Sequence, residues 1–255
     1  MRITKPTMWG AALLLISLSS PALSQPALGR ADALLARGDL KGARAGYLEA
    51  LEAGPARFAA LHRLARVESM LAEVVAGEES RDLVAAAVAH AREAVKVAPD
   101  SAAGHLELAV ALGRQALKEG PKTRLSLSRE VKSEVDRALA LDPGLGRAWH
   151  VLAVWNRKLA SLSVLERAVA KTVLGGVPKG ATMDNAVAHL QKAVALEPNY
   201  VNHRLELGRT FAQLKRTAEA RRELERAVAL PPEPGPLDAR HQAEARGLLA
   251  KLKKG

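Results

Sequence analysis

A seven-residue phrase recurs five times along this chain and ends each time in a proline. Each copy has the last turns of an amphipathic helix, and the proline cannot continue that helix because it lacks a backbone N–H. Recurrence at intervals of tens of residues is typical of stacked-repeat proteins rather than of a single enzyme core. The copies are EALEAGP ending at Pro55, EAVKVAP at Pro99, RALALDP at Pro143, KAVALEP at Pro198 and RAVALPP at Pro232.

Each copy is preceded by a pattern that predicts two helices. In the first copy, apolar residues recur at spacings of three and four on both sides of a Gly38-Asp39 turn, which is typical of an antiparallel helix pair. One such pair cannot cover its own apolar face, so it needs a neighbouring pair. We predict helix pairs over residues 28–55, 56–99, 100–143, 144–198 and 199–232, followed by a capping helix over 237–253.

The proline spacings of 44, 44, 55 and 34 residues are irregular against a repeat of about 34 residues. The largest surplus lies between Leu159 and Ala181, where apolar residues have helical spacing. We therefore predict a short inserted helix, ended by Gly175-Gly176. Its apolar residues are Val164, Leu165, Ala168, Val169 and Val173.

The repeat resembles the tetratricopeptide repeat, in which a bulky residue, Leu-Gly or Leu-Ala, an aromatic residue, two alanines around a large residue, and proline recur. The resemblance implies an all-α fold. We expect a tetratricopeptide-like solenoid of about five antiparallel helix pairs, with one inserted helix and a C-terminal capping helix. The best match in register is Arg204, Leu207, Gly208, Phe211, Ala220, Leu224, Ala227 and Pro232.

The N-terminus has the pattern of a secretory signal. Arg2 and Lys5 precede an apolar run over 8–18, and a small-residue exit follows before Gln25. We expect residues 1–24 to be removed, and the helical domain to occupy 25–255 of an exported, periplasmic or secreted protein. The alternative is a protein tethered to the inner membrane by an uncleaved signal.

Residues 148–171 resemble a narrower group, the regulator-of-microtubule-dynamics family. In that family a tryptophan-bearing repeat helix runs into an "ASLSWLER" segment. Here Trp155, residues 160–163 and residues 165–167 carry the match. The resemblance implies a compact tetratricopeptide-like domain with one inserted helix. Eukaryotic members are associated with microtubules, mitochondria and membrane contacts, whereas the export signal is typical of a bacterial envelope protein. We therefore take the fold, and not the microtubule role, from the resemblance to this family.

The charge balance bears on the partner. A net charge of +11 suits nucleic acid, anionic lipid headgroups or an acidic protein. Only 3% of the residues are aromatic, which leaves few rings to stack on bases, and we expect no nucleic-acid partner. The other interpretation is that the basic residues are spread over solvated helix faces.

The chain lacks the patterns of a catalytic or metal centre. Its seven histidines include no pair at i, i+4 and no HExxH, and there is no cysteine. No phosphate-binding loop or G-x-S-x-G setting occurs either. We expect no enzyme activity, no metal and no cofactor.

Resemblance to tetratricopeptide repeats implies a concave surface that binds partner segments and is lined by first helices. We predict a protein or peptide partner, acidic in character, because guanidinium groups suit carboxylates. Alternatively, the arginines pair with Glu68, Glu107 or Glu206 on neighbouring turns. The predicted partner-binding residues are Arg66, Arg114, His150, Val154, Arg157, Lys158, Arg209 and Gln213.

Two segments leave further interpretations open. The inserted helix either belongs to the core, covers a cavity for an apolar, lipid-like ligand, or touches a membrane surface. A carrier or membrane-associated scaffold is therefore the alternative to a protein–protein adaptor. The last helix suits a solubilising cap, although the oligomeric state stays open. Residues expected to cover the end of the stack are Ala239, Ala243, Leu248, Leu249 and Leu252.

Overall fold

The protein is seen here as a computed structural model that describes residues 24–252. Residues 1–23 of the predicted export signal and residue 253 of the predicted cap therefore lie outside the described residues. The described part contains twelve α-helices and no strand. They are α1 Ser24–Ala36, α2 Leu40–Ala53, α3 Arg57–Val74, α4 Gly77–Val97, α5 Ala102–Ala116, α6 Pro121–Leu141, α7 Gly146–Ala160, α8 Val164–Leu174, α9 Met183–Leu196, α10 Val201–Gln213, α11 Thr217–Ala229 and α12 Pro236–Leu252.

Local signals set many of the helix ends. Asp39 caps α2 by accepting a hydrogen bond from the backbone N of Gly42 at 2.8 Å, as short polar residues do at helix starts. Each proline of the repeated phrase lies two or three residues beyond the end of a helix. The repeated phrase therefore marks the end of the second helix in every pair.

The helices pack as five antiparallel pairs, α1 with α2, α3 with α4, α5 with α6, α7 with α9, and α10 with α11. This confirms the tetratricopeptide-like solenoid. The backbones of successive first helices approach one another closely, whereas among the described residues those of successive second helices do not. Second helices meet through long side chains, as where Arg92 of α4 donates to Glu130 of α6 at 3.0 Å. The stack therefore curves toward its first helices. We call the side formed by α3, α5, α7 and α10 the inner surface.

Buried small residues let the two helices of each pair approach closely. Ala43 and Ala50 of α2 are fully buried around Tyr47, whose hydroxyl donates to Asp32 Oδ1 at 2.7 Å. In the last pair, a methyl group built on Gly208 would lie 2.6 Å from Leu224 Cγ. The glycine is therefore required by the spacing between α10 and α11.

The predicted inserted helix is confirmed as α8. Ser163 and Glu166 form a reciprocal capping box at its start, and Gly175 ends it in the left-handed conformation with φ 72°. The helix packs against α6 and buries Ala170. Its first two residues lie outside the core, because Val164 is 87% exposed and Leu165 is 76% exposed.

The predicted capping helix is confirmed as α12, and it does more than end the stack. It packs against α10 and α11, and it also contacts α3 in the second pair. The loop before it reaches the first pair, since a methyl group built on Gly38 would overlap the backbone of Gly235. Both glycines have positive φ, at 78° and 115°, where only glycine is unstrained. The last helix therefore crosses the inner surface toward the start of the chain.

The face that α12 presents differs from the prediction. Ala239 and Ala243, which were expected to cover the stack, are exposed. The buried side is polar near the start of the helix because each polar group has a partner there. His241 meets the Glu73 carboxylate. Gln242 donates to backbone carbonyls at the end of α11, and Asp238 accepts from a backbone N–H of the preceding loop. The buried side comprises Asp238, His241, Gln242 and Ala245, with Leu248, Leu249 and Leu252 partly buried beyond them.

Among the helices described, none combines the length and the apolar character that crossing a membrane requires.

Replacing Gly208 by alanine tests the close approach of α10 and α11. The added methyl group overlaps the Leu224 side chain, so we expect a destabilisation of about 1–3 kcal/mol. The matched control is Gly113→Ala on α5, where nothing lies within 4 Å of the added methyl group. That variant is expected to gain about 0.5–1 kcal/mol. Urea unfolding measures both changes, and a stabilised Gly208→Ala protein would contradict the packing account.

Candidate functional site

The predicted partner-binding residues all lie on the inner surface, although they differ in how exposed they are. First helices supply all of them, because the tetratricopeptide frame places these positions on one face of each first helix. Arg66 lies on α3 and Arg114 on α5. Helix α7 carries His150, Val154, Arg157 and Lys158, and α10 carries Arg209 and Gln213.

A chain of ion pairs connects α7, α10 and α12. Arg157 is only 4% exposed and donates to Glu206. Arg209 Nε donates to the other oxygen of Glu206 at 2.9 Å. The Nη2 atom of Arg209 lies 2.5 Å from Glu244 Oε1 on α12. Two of the predicted arginines are therefore held by glutamates of the same chain.

A second group joins α3, α5 and α12 around Glu73. Arg114 donates to one carboxylate oxygen of Glu73, and His241 Nε2 lies 2.8 Å from the other. Burial opposes ionisation of Glu73, but the hydrogen bond from His241 and the charge of Arg114 outweigh it and lower its pKa to about 2. Glu73 is therefore an ionised carboxylate that binds the last helix to the second pair.

Glu68, Glu107 and Glu206 are the glutamates expected as alternative partners of these arginines. Glu206 has that role for Arg157 and Arg209. The other two pair with different arginines, Glu107 with Arg147 at 2.7 Å and Glu68 with Arg44 at 2.9 Å. The ion pairs of the inner surface thus combine the expected local glutamate with Glu73 and Glu244, which the sequence analysis did not identify.

Four predicted residues remain accessible. Arg66, Lys158 and Gln213 are exposed and Val154 is partly exposed. Within residues 24–252, Arg66 and Lys158 form no ion pair. Arg66 also lines a cavity of about 310 Å³. The other residues that line it are His62, Arg63, Ala103, Leu106, Glu107, Leu145, Arg147 and Glu197.

The buried His203 and the partly buried His150 form a separate polar row beside this cavity. His150 Nδ1 lies 2.9 Å from His203 Nδ1, and His203 Nε2 lies 2.9 Å from Glu197. Burial, followed by the neighbouring His203 and Arg157, holds the pKa of His150 well below its usual range. Burial also lowers the pKa of His203, against the opposing effect of Glu197. Both rings are therefore neutral at neutral pH, and they serve as hydrogen-bonding groups.

Several buried polar atoms on these same helices have no hydrogen-bond partner among the described residues. They belong to α3, α5, α7 and α12, the elements that meet at the inner surface. Such groups cost free energy unless water or a ligand satisfies them. The atoms are His62 Nδ1, Ser69 Oγ, Arg114 Nε, Arg157 Nε and His241 Nδ1.

Residues 24–252 contain no cluster of three or more histidine, aspartate or glutamate side chains arranged to hold a metal ion. The expectation that the protein has no metal or cofactor stays a prediction.

Paired antiparallel helices stacked around a curved inner surface define a tetratricopeptide-like repeat protein. Solved structures of this class are similar in fold. A thermophilic repeat protein of Thermus thermophilus is 20% identical with a TM-score of 0.65, over 91% of this chain and 100% of that one. The type IV pilus biogenesis factor PilW is 20% identical with a TM-score of 0.54, over 92% and 90%.

The chain belongs to the family described as Regulator of microtubule dynamics protein 1-3, whose profile matches residues 27–253. Regulator of microtubule dynamics protein 3 of Rattus norvegicus is 33% identical over 173 residues, which cover 67% of this chain and 36% of the rat protein. Regulator of microtubule dynamics protein 1 of Bos taurus is 29% identical over 157 residues, covering 60% and 49%. The chain thus spans half or less of the length of these two relatives.

Glu73 makes the stability of the protein dependent on pH. Its pKa is about 2 in the folded protein against an ordinary value of 4.5, so below pH 4.5 the unfolded chain binds more protons. The stabilisation is fully present above pH 4.5 and is lost as the pH falls toward 2. It amounts to at most about 3 kcal/mol.

We therefore expect Glu73→Gln to be less stable at neutral pH and to lose less stability than the parent protein on acidification. Urea unfolding at several pH values measures this. The matched control is Glu49→Gln, whose partner Arg30 is as exposed as Glu49, at 61% each, and which should cost less than about 1 kcal/mol. Equal pH dependence of parent and Glu73→Gln would contradict the assignment.

Proposed function

We propose that this protein is a non-catalytic adaptor of the cell envelope, which binds an acidic segment of a partner protein on its inner surface. The fold and the family support a protein–protein interaction role. The names of the relatives refer to microtubule dynamics. The proposal concerns the mode of binding and does not extend to that partner.

The observation that carries the proposal is the way in which α12 is held. This helix lies on the inner surface and offers Glu244 to Arg209. A carboxylate on a helix is thus already bound by a predicted partner-binding arginine. We infer that an acidic side chain of a partner segment is recognised in the same manner.

Such a segment would contact the accessible basic residues of the inner surface, which, among residues 24–252, α12 does not contact through an ion pair. Arg66 and Lys158 are exposed and form no ion pair within the described part of the chain. An arginine side chain donates two parallel hydrogen bonds to a carboxylate, and the cavity beside Arg66 has an apolar wall of Leu106 and Leu145. Acidic residues interleaved with apolar ones would therefore suit this surface.

Cross-linking and affinity capture from the native envelope fraction test the proposal. We expect Arg66→Glu together with Lys158→Glu to reduce capture of an acidic partner by roughly tenfold or more, since two charge-assisted contacts become repulsive. Both positions are exposed, so the fold should be retained. Arg157→Glu is unsuitable, because it would place a second buried carboxylate beside Glu206.

The matched control reverses two exposed charges on second helices, Lys41→Glu on α2 and Arg81→Glu on α4. It changes the net charge equally while leaving the inner surface intact. Equal capture by both double variants, or capture lost equally in both, would contradict binding at the inner surface.

The envelope location rests on the N-terminal pattern and has its own test. Intact-mass measurement of protein from fractionated cells should give a chain that begins at Gln25 in the periplasmic fraction. A full-length mass in the membrane fraction would instead support the tethered alternative. A full-length mass in the cytoplasm would contradict export.

A further inference from the structure

Three large apolar side chains are exposed along one edge of the solenoid. Leu117 follows α5 and is 61% exposed, and Val164 and Leu165 begin α8 with 87% and 76% exposed. Arg124 connects the end of α5 with the start of α8, because its Nε donates to the carbonyl of Ala116 at 3.3 Å and its Nη1 lies 3.7 Å from Glu166 Oε1. We call Leu117, Val164 and Leu165 the apolar edge.

The start of α8 is fixed with its apolar pair pointing away from the core. Glu166 accepts from Ser163 N at 2.9 Å in the capping box. Arg167 donates to the carbonyl of Ala160 at 2.9 Å and to that of Leu162 at 3.0 Å. These bonds set the direction of the first turn. Val164 and Leu165 are thus presented to the surroundings by a well-defined helix start.

The surroundings of the apolar edge are basic. Residues 117–124 and 161–171 contain five lysines and arginines and two glutamates. One of these glutamates, Glu166, is already engaged by the capping box. The basic residues are exposed apart from the partly exposed Arg124. They are Lys118, Lys122, Arg124, Arg167 and Lys171.

We propose that the apolar edge docks on an anionic phospholipid surface, with Val164 and Leu165 entering the boundary between headgroups and acyl chains. Peripheral proteins combine a small buried apolar area with lysines and arginines that attract anionic headgroups. A second copy of the chain fits less well. Stable protein interfaces use roughly 20–30 residues a side, and two identical basic edges repel each other.

This docking goes beyond the proposed adaptor function and uses a different surface. Helix α8 packs against α6, a second helix, and the hydrogen bond of Arg167 to Ala160 ties it to the very end of α7. The two proposals can therefore fail separately. A protein that is docked in this way would keep its inner surface available for a protein partner.

The absence of cysteine from the chain allows a local test with the full-length protein. The variant Leu165→Cys carries a polarity-sensitive nitrobenzoxadiazole label near the start of α8. The matched control Val97→Cys carries the same label at the last residue of α4, where the native side chain is 43% exposed. Vesicles contain phosphatidylcholine alone or with phosphatidylglycerol. We expect a blue shift and stronger emission only for position 165 with phosphatidylglycerol, weakened by added salt.

The label reports the surroundings of position 165 itself, so attachment of the chain to vesicles through residues 8–18 does not produce this shift. An unchanged label at position 165, the same response at position 97, or an equal response to phosphatidylcholine alone would overturn the proposal.

Two variant pairs of the full chain test the contributions separately, with the label placed at Leu117→Cys. Val164→Ser with Leu165→Ser should weaken the vesicle response of that label by roughly tenfold or more. Lys122→Glu with Lys171→Glu should weaken the response too, whereas Lys41→Glu with Lys192→Glu, which changes the net charge equally elsewhere, should not. Circular dichroism checks that each variant is folded. Retained docking in the serine variant, or equal losses in both charge-reversal pairs, would overturn the proposal.

Discussion

The close approach of paired helices at buried alanines determines the rest of this structure. Ala43, Ala87, Ala138, Ala193 and Ala227 are all fully buried on second helices. Small side chains bring the backbones together, and the large residues between them then fill the space. Each pair leaves an apolar face that only the next pair can cover. Stacking, curvature and an inner surface follow from that need.

Much of this architecture could be predicted because it depends on local patterns. Apolar spacing of three and four predicts each helix, and the prolines predict where second helices end. The inserted helix was recognisable for the same reason, since its apolar residues and Gly175-Gly176 lie within a few turns. Its exposed start was not recognisable, because the exposure of Val164 depends on where α6 lies.

The ion pairs of Glu73 and Glu244 were beyond local reasoning, unlike the pairing of Arg209 with Glu206 three residues away. His241 meets Glu73 across 168 positions of the sequence, and no spacing rule connects residues so far apart. The face of α12 was assigned wrongly near its start, where Ala239 and Ala243 are exposed, whereas the three predicted leucines beyond them do pack against the core. The helix instead turns Asp238, His241 and Gln242 inward, where His241 meets the Glu73 carboxylate and the other two meet backbone groups. The polar residues near the start of the predicted capping helix were the signal that this part of the helix packs on polar groups.

The contact of α12 with α3 joins the fifth helix pair to the second. Open repeat arrays are quasi-one-dimensional, so their ends fray and their units unfold in a graded order. Here the last helix cannot detach without also releasing the carboxylate of Glu73, and the loop around Gly235 presses on the first turn of the array. The two ends therefore lose their structure together. This places the protein nearer to the all-or-none unfolding of a globular domain.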